Sequence, residues 1–393
     1  MELLAPAGNL EKLKTAVLYN TDAVYIGGVM FSLRARANNF TKDELKQAVD
    51  FAHLHKKMLY VTMNIIPHNE DLKDLDEYII YLDKIGVDAI IISSLDLIER
   101  VKKLKVKLNI HLSTQLSITN SQAINYLTRL GVKRVVLARE CTLLEIENIV
   151  KNTNIEIEVF IQGGMCSSYS GRCVLSNYMT NRDANRGGCA HSCRWNYNLI
   201  DNKNIYKEFT LGAKDLSIIN YIASLKKAGV TSLKIEGRMK SQYYIACMVK
   251  TYKEVINKIS NNESIDYEYY ERELKKVENR DFCRGYIKGF LTKNDQLYNF
   301  KDTIANQEFL GIVVDIDKVN NLIKIEQRNY FTEKQEVEFF GPNLNNTLFK
   351  LNEIYDENYN RIQTVPHPKQ IVYIKCDIDL NKYDIMRISS SVK

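Results

Sequence analysis

Four of the chain's eight cysteines fall in one stretch. Cys166, Cys173, Cys189 and Cys193 lie within EVFIQGGMCSSYSGRCVLSNYMTNRDANRGGCAHSCRW, which runs from Glu158 to Trp195. Soft thiolates gathered in this way suit an iron–sulfur cluster or zinc. Structural zinc usually takes two close-set ligand pairs, and here only Cys189 and Cys193 make one. A four-cysteine cluster accepts the wider gaps, because its ligands can arrive from separate turns of a loop. Buried free thiols or two disulfides stay open as alternatives. Between Cys166 and Arg194 the stretch is also basic, with Arg172, Arg182, Arg186 and Arg194 against a single acid, Asp183. A positive loop suits an anionic partner, RNA or a carboxylate-bearing substrate. The same arginines would also balance a thiolate-bound cluster.

Such a loop needs a frame to hold it. From residue 1, short apolar strands alternate with amphipathic helices. The strand candidates are Glu2–Leu4, Ala23–Ile26, Met58–Met63, Ala89–Ser93, Asn109–Leu112, Arg134–Ala138, Ile155–Ile161 and Ser232–Ile235. Helical periodicity marks Leu10–Leu18, Lys42–His53, Asp74–Lys84 and Ser121–Leu130. Gly86-Val87, Gly131-Val132 and Gly229-Val230 each close a helix and open a strand. Eight such units predict an α/β fold, a TIM-type (β/α)8 barrel, with the cysteine-rich loop inserted after strand seven. A doubly wound sheet is the alternative, but no G-x-G-x-x-G follows the first strand.

In a barrel of this type the site lies at the C-terminal strand ends. Polar residues gather there: Arg34, Arg36, Asn38 and Asn39 after strand two, Asn64 and His68 after strand three, and Gln115 after strand five. Strand six ends in Arg139-Glu140 and strand eight in Lys234-Ile235-Glu236-Gly237-Arg238. The barrel is expected over residues 1–260, with the cluster loop at 162–212 and the next helix beginning near Lys214-Asp215-Leu216. A helical connector follows over 261–302, including a short helix at Glu271–Val277. From there the period switches to two, predicting a small all-β barrel domain over 303–393 with strands at Gly311–Ile316, Leu322–Glu326, Glu336–Phe340 and Gln370–Ile378. A small β-barrel beside a catalytic one suggests an RNA platform.

The composition is that of an ordinary globular protein, with 45% hydrophobic and 26% charged residues in 393. The N-terminus lacks the basic start and apolar run of a signal peptide, and no apolar run reaches the roughly 18 residues of a membrane span. The expectation is therefore a cytoplasmic protein without membrane contact, in a compartment where disulfides are rare. Cys247 and Cys376 carry the periodicity of packed elements, Cys283 lies in the connector, and Cys141 follows a strand end.

The central stretch resembles the signature of peptidase family thirty-two of unknown catalytic type, the collagenase-like proteases. The likeness rests on Glu158, Phe160, Gly163, Met165, Cys166, Gly171, Cys173 and Ser176, and on SNYMTNRDANRGGCAHSCRW. It extends to LAPAGNLEKLKTAV, FSLRARANNF, the AKDL at Ala213–Leu216 and KIEGRMKSQYY from Lys234. Gly164 stands where Ser or Ala is usual, and Gln162 where His is frequent. The resemblance implies an iron–sulfur cluster, of the 4Fe-4S type, on Cys166, Cys173, Cys189 and Cys193. It also implies oxygen-independent hydroxylation that depends on prephenate, with tRNA wobble uridine, ribosomal RNA or a quinone precursor as substrate.

A barrel followed by a short β-domain looks most like the members that hydroxylate tRNA uridine, which makes the tRNA anticodon loop and prephenate the expected partners. Arg34, Arg36 and Arg238 are candidates for gripping prephenate carboxylates, since a guanidinium fork matches a carboxylate. Glu140, Lys234 and Glu236 join Arg238 as catalytic candidates, the two glutamates for proton transfer or metal-proximal contacts. Asn38, Asn39, Asn64, Gln115, Lys214 and Asp215 are candidates for substrate contact. The peptidase alternative finds little here, with no His-Glu-x-x-His and no Gly-x-Ser-x-Gly. Anaerobically purified protein is expected to be brown, with iron and acid-labile sulfide in similar amounts. Stoichiometric zinc without sulfide would refute the cluster.

Overall fold

The computed structural model describes residues 1–33, 39–297, 303–304 and 309–389. Strands and helices alternate from the N-terminus as β1 (Glu2–Pro6), α1 (Leu10–Leu18), β2 (Ala23–Gly27), α2 (Lys42–Leu54), β3 (Met58–Met63) and α3 (Leu75–Ile85). They continue as β4 (Ala89–Ile92), α4 (Asp96–Lys103), β5 (Asn109–Leu112), α5 (Ser121–Arg129), β6 (Arg134–Val136) and α6 (Leu143–Lys151). After β7 (Glu156–Gly164) comes the insertion with its short helix α7 (Leu175–Thr180), then α8 (Ile222–Ala228), β8 (Ser232–Ile235) and α9 (Gln242–Ser260). Neighbouring strands are parallel, and β8 pairs with both β7 and β1, so the sheet closes into the expected barrel. Among the described residues no helix is long and apolar enough to cross a membrane.

Local chemistry sets these boundaries. Asn9, Thr41, Asn120, Thr142 and Ser241 each accept a first-turn backbone N–H through the side chain, and Thr41–Glu44 and Thr142–Glu145 complete capping boxes. Gly86 and Gly229 stop α3 and α8 in left-handed conformation.

An apolar layer including Leu3, Ile26, Val61, Ile92 and Leu233 fills the space between strands and helices. Inside the barrel, a small cluster of Leu4, Ala23, Tyr25, Tyr60, Ala89 and Ile91 gives way to charge. Glu158 is wholly buried and accepts from Lys234 Nζ at 2.8 Å, Arg134 Nη1 at 3.1 Å and Ser232 Oγ at 3.1 Å. Arg134 also reaches Glu2 at 2.6 Å and Glu156 at 2.8 Å. Burial alone would raise the Glu158 carboxyl, but Lys234 and Arg134 outweigh it and hold it at about 2. His111 packs edge-on to Tyr60 with ring centroids 4.7 Å apart, and burial, helped by Arg134, pushes its imidazole down to about 3.

The chain after the insertion departs from the sequence reading. Gly212–Ala213 and Asp215–Ser217 are short strands, and α8 begins only at Ile222. Asp215–Ser217 runs antiparallel to the end of β7 and parallel to Phe282–Cys283 from the connector. The cause is the Asp215 carboxylate, which is fastened to Arg280 and holds this segment extended along the barrel edge. The connector is thus only partly helical: α10 (Tyr267–Lys275) lies slightly earlier than expected and is followed by Asn279–Arg280 and Phe282–Cys283 as short strands.

The C-terminal domain comprises β9 (Phe309–Asp317), β10 (Leu322–Gln327), β11 (Glu336–Gly341), β12 (Leu344–Lys350), β13 (Ile354–Tyr355), β14 (Arg361–Ile362), β15 (Ile371–Lys375) and β16 (Ile385–Ile388). They form one antiparallel sheet in the order β12-β11-β16-β9-β10-β15-β13-β14, wrapped over its own core of Val313, Ile325, Val337, Phe339, Val372, Ile374 and Met386. The domain docks on the outer helices of the barrel. Arg387 is buried there, donating to Glu338 at 2.6 Å and Glu273 at 2.8 Å with its guanidinium over the Phe340 ring. Tyr243 stacks on Phe309, and the Tyr19 hydroxyl donates to the Tyr383 carbonyl at 3.0 Å.

His111 yields a pH prediction. Between its unfolded value near 6.5 and its folded value, the unfolded chain binds a proton that the folded chain does not. Stability is therefore lost as pH falls through that window, by about 1.4 kcal/mol per pH unit. His111→Phe is expected to flatten this acid limb, measured by urea melts at pH 7 and pH 5.

Candidate active site at the barrel mouth

The cysteine-rich insertion is strapped across the C-terminal strand ends. After β6, Glu140 accepts from the Ser170 N–H at 2.7 Å and the Ser170 hydroxyl at 2.6 Å. After β5, the Gln115 carbonyl accepts from Arg172 Nε at 2.5 Å. After β3, Arg186 meets His68 at 2.7 Å and Asp71 at 2.8 Å, while the Ile66 N–H donates to the Asn185 carbonyl at 2.9 Å. Inside the loop, Asn185 brackets Cys173, accepting from its N–H at 3.2 Å and donating to its carbonyl at 2.9 Å. Ser176 accepts from the Ala190 N–H and donates to the Arg182 carbonyl, tying the two ends of the fifteen-residue gap together.

All four loop cysteines are unpaired and half-buried. Burial raises the Cys166 thiol, opposed by the Ser168 N–H and by Arg139, and the nearby Cys193 and Cys173 add to the rise. Burial and Arg280 lower the Arg194 guanidinium, and Cys193, Asp215 and Cys189 oppose them. Among the described residues no three His, Cys, Asp or Glu side chains stand close enough to share one metal ion. A polynuclear cluster is held at separated corners, and Cys173 and Cys193 near Cys166, with Cys189 and Cys193 near Arg194, fit that arrangement without converging on one point. Arg139 and Arg194 stand ready to offset the thiolate charge.

The structure sorts the predicted barrel residues into different roles. Lys234 is withdrawn from the mouth: it lies inside the barrel, paired to Glu158 and set over the Tyr25 and Phe160 rings. Glu140 is occupied in holding Ser170. Arg238 is buried, and its fork already donates to Ser32 at 2.7 Å, Thr62 at 3.1 Å and Asn39 at 2.6 Å. Gly27 permits this, since a Cβ there would sit 2.1 Å from Arg238 Nη2. Glu236 is the accessible carboxylate, its side chain 20% exposed and 3.4 Å from Arg139. Arg139 in turn lies over the Phe160 ring, 4.0 Å from its centroid. Gly163, at φ +108°, lets the two chains meet here, because a Cβ would come within 2.5 Å of the Glu236 carbonyl.

Asn64 accepts from the Leu33 N–H at 3.3 Å and braces the loop after β2. Gln115 is buried beside Ser113. Lys214 and Asp215 are engaged with Asp281 and Arg280 at the loop's base, beside the end of β7. Arg34, Arg36 and Asn38 lie outside the described residues. Sequence reading missed the bracing groups Ser32, Thr62, Ser170, Asn185 and Arg280. Of these, Asn185 and Ser170 carried a signal by lying inside the cysteine-rich stretch, and Ser32 by lying inside FSLRARANNF.

Residues 8–297 match peptidase family U32, and residues 305–387 match the peptidase family U32 C-terminal domain. The tRNA hydroxylation protein P1 of Bacillus subtilis is 42% identical, over 98% of this chain and 94% of its own. A 23S rRNA 5-hydroxycytidine synthase of Escherichia coli is 36% identical, over 66% of this chain and 40% of its own. A collagenase of Porphyromonas gingivalis is 33% identical, over 73% of each chain.

The Arg238 geometry yields a test. Lysine cannot reproduce a fork that donates to three oxygens, so Arg238→Lys is expected to cost about 1.5–3 kcal/mol in stability. Unchanged denaturant melts would show that the three contacts carry little.

Proposed function

The chain belongs to peptidase family U32, and on that premise we propose that it is an RNA-modifying hydroxylase. Its reaction adds a hydroxyl to C5 of the tRNA wobble uridine, with prephenate as the hydroxyl source. The observation that carries this reading is the 42% identity to a tRNA hydroxylation protein, which runs through barrel, insertion and β-domain alike. The basic loop across the mouth supports it, because an RNA substrate is anionic. An unpaired anticodon base leaves its stack at small cost, which suits a site recessed behind a loop.

Cys166, Cys173, Cys189 and Cys193 would hold the iron–sulfur cluster, which supplies a soft, redox-capable centre at the mouth. The chain's own residues do the rest. Glu236, partly accessible and steadied by Arg139, is the candidate for moving a proton at the substrate. Arg34 and Arg36 remain candidates for prephenate carboxylates, and Arg238 acts as a positioning residue, fixing Asn39 and Ser32. Glu140 and Arg172 hold the insertion in place over the mouth.

Mass spectrometry of tRNA nucleosides from cells with and without the chain tests the reading. Loss of 5-hydroxyuridine-derived nucleosides is expected, and an unchanged profile would overturn it. Changing any of the four loop cysteines to Ser is expected to abolish the product and lower iron content. Cys247→Ser and Cys376→Ser, both in buried sites, should retain both. Casein or collagen cleavage by cluster-loaded protein, with unaltered tRNA, would favour the peptidase reading.

A further inference from the structure

We propose that the rim of the barrel mouth, built from the cysteine-rich insertion and the turn at residues 285–290, is the surface on which single-stranded RNA stacks, and that the C-terminal domain is not. This rests on the reading that the chain acts on RNA, and it replaces the expectation that the small β-domain is the platform.

Charge separates the two regions. Residues 1–302 carry 43 Lys and Arg against 35 Asp and Glu, whereas residues 303–393 carry 11 against 13. The excess positive charge belongs to the barrel and its insertion. A domain of net negative charge repels the phosphate backbone that supplies most non-specific affinity for nucleic acid. Within the insertion, Arg172 and Arg182 form no ion pair among the described residues, in contrast to Arg186 with Asp71 and Glu70 and to Arg194, which has Asp215 nearby.

Aromatic side chains follow the same division. Phe290 is 97% exposed, Tyr178 89%, Tyr169 53% and Trp195 40%. All four lie on segments fixed at the mouth. Tyr169 precedes Ser170, which Glu140 holds. Tyr169 and Tyr286 both sense the Glu140 carboxylate, which sets the 285–290 turn beside the insertion. A Cβ on Gly285 would lie 2.8 Å from Leu216 and 3.6 Å from Met165, so that turn packs on the root of the loop. The Trp195 N–H donates to the Ser192 carbonyl, next to Cys193. Solvent-facing rings interleaved with arginines that lack acids match unpaired bases, whose π-faces stack and whose phosphates need cations.

The C-terminal domain lacks this arrangement. Its exposed rings are Tyr359 and Tyr330: Tyr359 already stacks on Tyr373, with centroids 4.8 Å apart and planes 20° from parallel, and the arginine nearest Tyr330 in the chain, Arg328, is paired to Glu326 at 2.7 Å. It also lies along the barrel's flank. Its contacts run from Tyr243, at the start of α9, to Tyr19, which ends α1 and so lies at the end of the barrel opposite the mouth.

Trp195 is the chain's single tryptophan, so its emission reports on the rim directly. An anticodon stem–loop RNA added to the full-length protein is expected to quench it, and a blunt duplex of the same stem is not. Tyr178→Ala and Phe290→Ala are each expected to weaken stem–loop binding about fivefold or more. Arg182→Gln should lower the salt slope of the binding constant by about 0.7. Tyr359→Ala and Tyr373→Ala should bind as the parent does. Tyr178 and Phe290 project into solvent, so these changes leave the core intact, which iron content and circular dichroism verify.

The proposal is overturned if rim variants bind like the parent, if loss maps to Tyr359 and Tyr373, if the duplex quenches equally, or if no RNA binds. The hydroxylase reading fails separately. Rim binding with an unchanged nucleoside profile would sink the chemistry and keep the platform. Normal product from rim variants that bind like the parent would sink only the platform.

Discussion

A carboxylate with no solvent contact holds this molecule together. Glu158 sits inside the barrel on β7 and takes Lys234 and Ser232 from β8 and Arg134 from β6, while Arg134 continues to Glu2 on β1. These four strands meet where the sheet closes. Desolvating several charges is expensive, and only mutual pairing with good geometry offsets the cost. Slipping β7 by one residue would turn Glu158 towards the apolar layer, leave Lys234 unpaired and strip Arg134 of its partner on β7, with Glu2 remaining. The register of β7 is thereby fixed, and β7 is the strand from which the cysteine loop departs.

From that strand the loop is guided by bonds that each end on a different strand's terminus. Glu140, Gln115 and the His68–Asp71 turn belong to three separate βα units, and each grips a different point between Ser170 and Arg186. No regular secondary structure would hold a stretch this irregular. Its order comes from side chains of the barrel, and the thiols share half-buried positions as a result. The same fastening puts the accessible Glu236 and the Arg139–Phe160 stack beside Cys166, so chemistry at the mouth and the sulfur-bearing loop share one neighbourhood.

The barrel was legible in the sequence because its signals are local. β3, β5 and β8 fall where alternation and apolar runs placed them, and α1 spans the residues its period marked. What stayed hidden depends on partners far along the chain. Lys234 read as a site residue from its motif, yet its partner lies 76 residues away on β7. Lys214–Leu216 read as a helix start, and Arg280, 65 residues on, holds it extended. β12, Leu-Asn-Asn-Thr-Leu-Phe-Lys, has weak alternation and is made a strand by its neighbour β11. β16 is short but central, completed by β9 and β11 on its two sides.

The two-stranded hairpin formed by Tyr197–Asp201 and Asn204–Phe209 stands beyond the cysteine loop, with Asn198 through Ile205 exposed. A hairpin that buries so little gains too little to choose its own direction. It inherits its direction from its root, where Tyr197 donates to the Ser192 carbonyl and the Leu211 N–H donates to the Cys193 carbonyl. It is therefore a lever whose fulcrum is a cysteine. The exposed arm is aimed by the backbone around Cys193, so whatever holds that end of the cysteine loop also sets the outline this protein offers to the solvent.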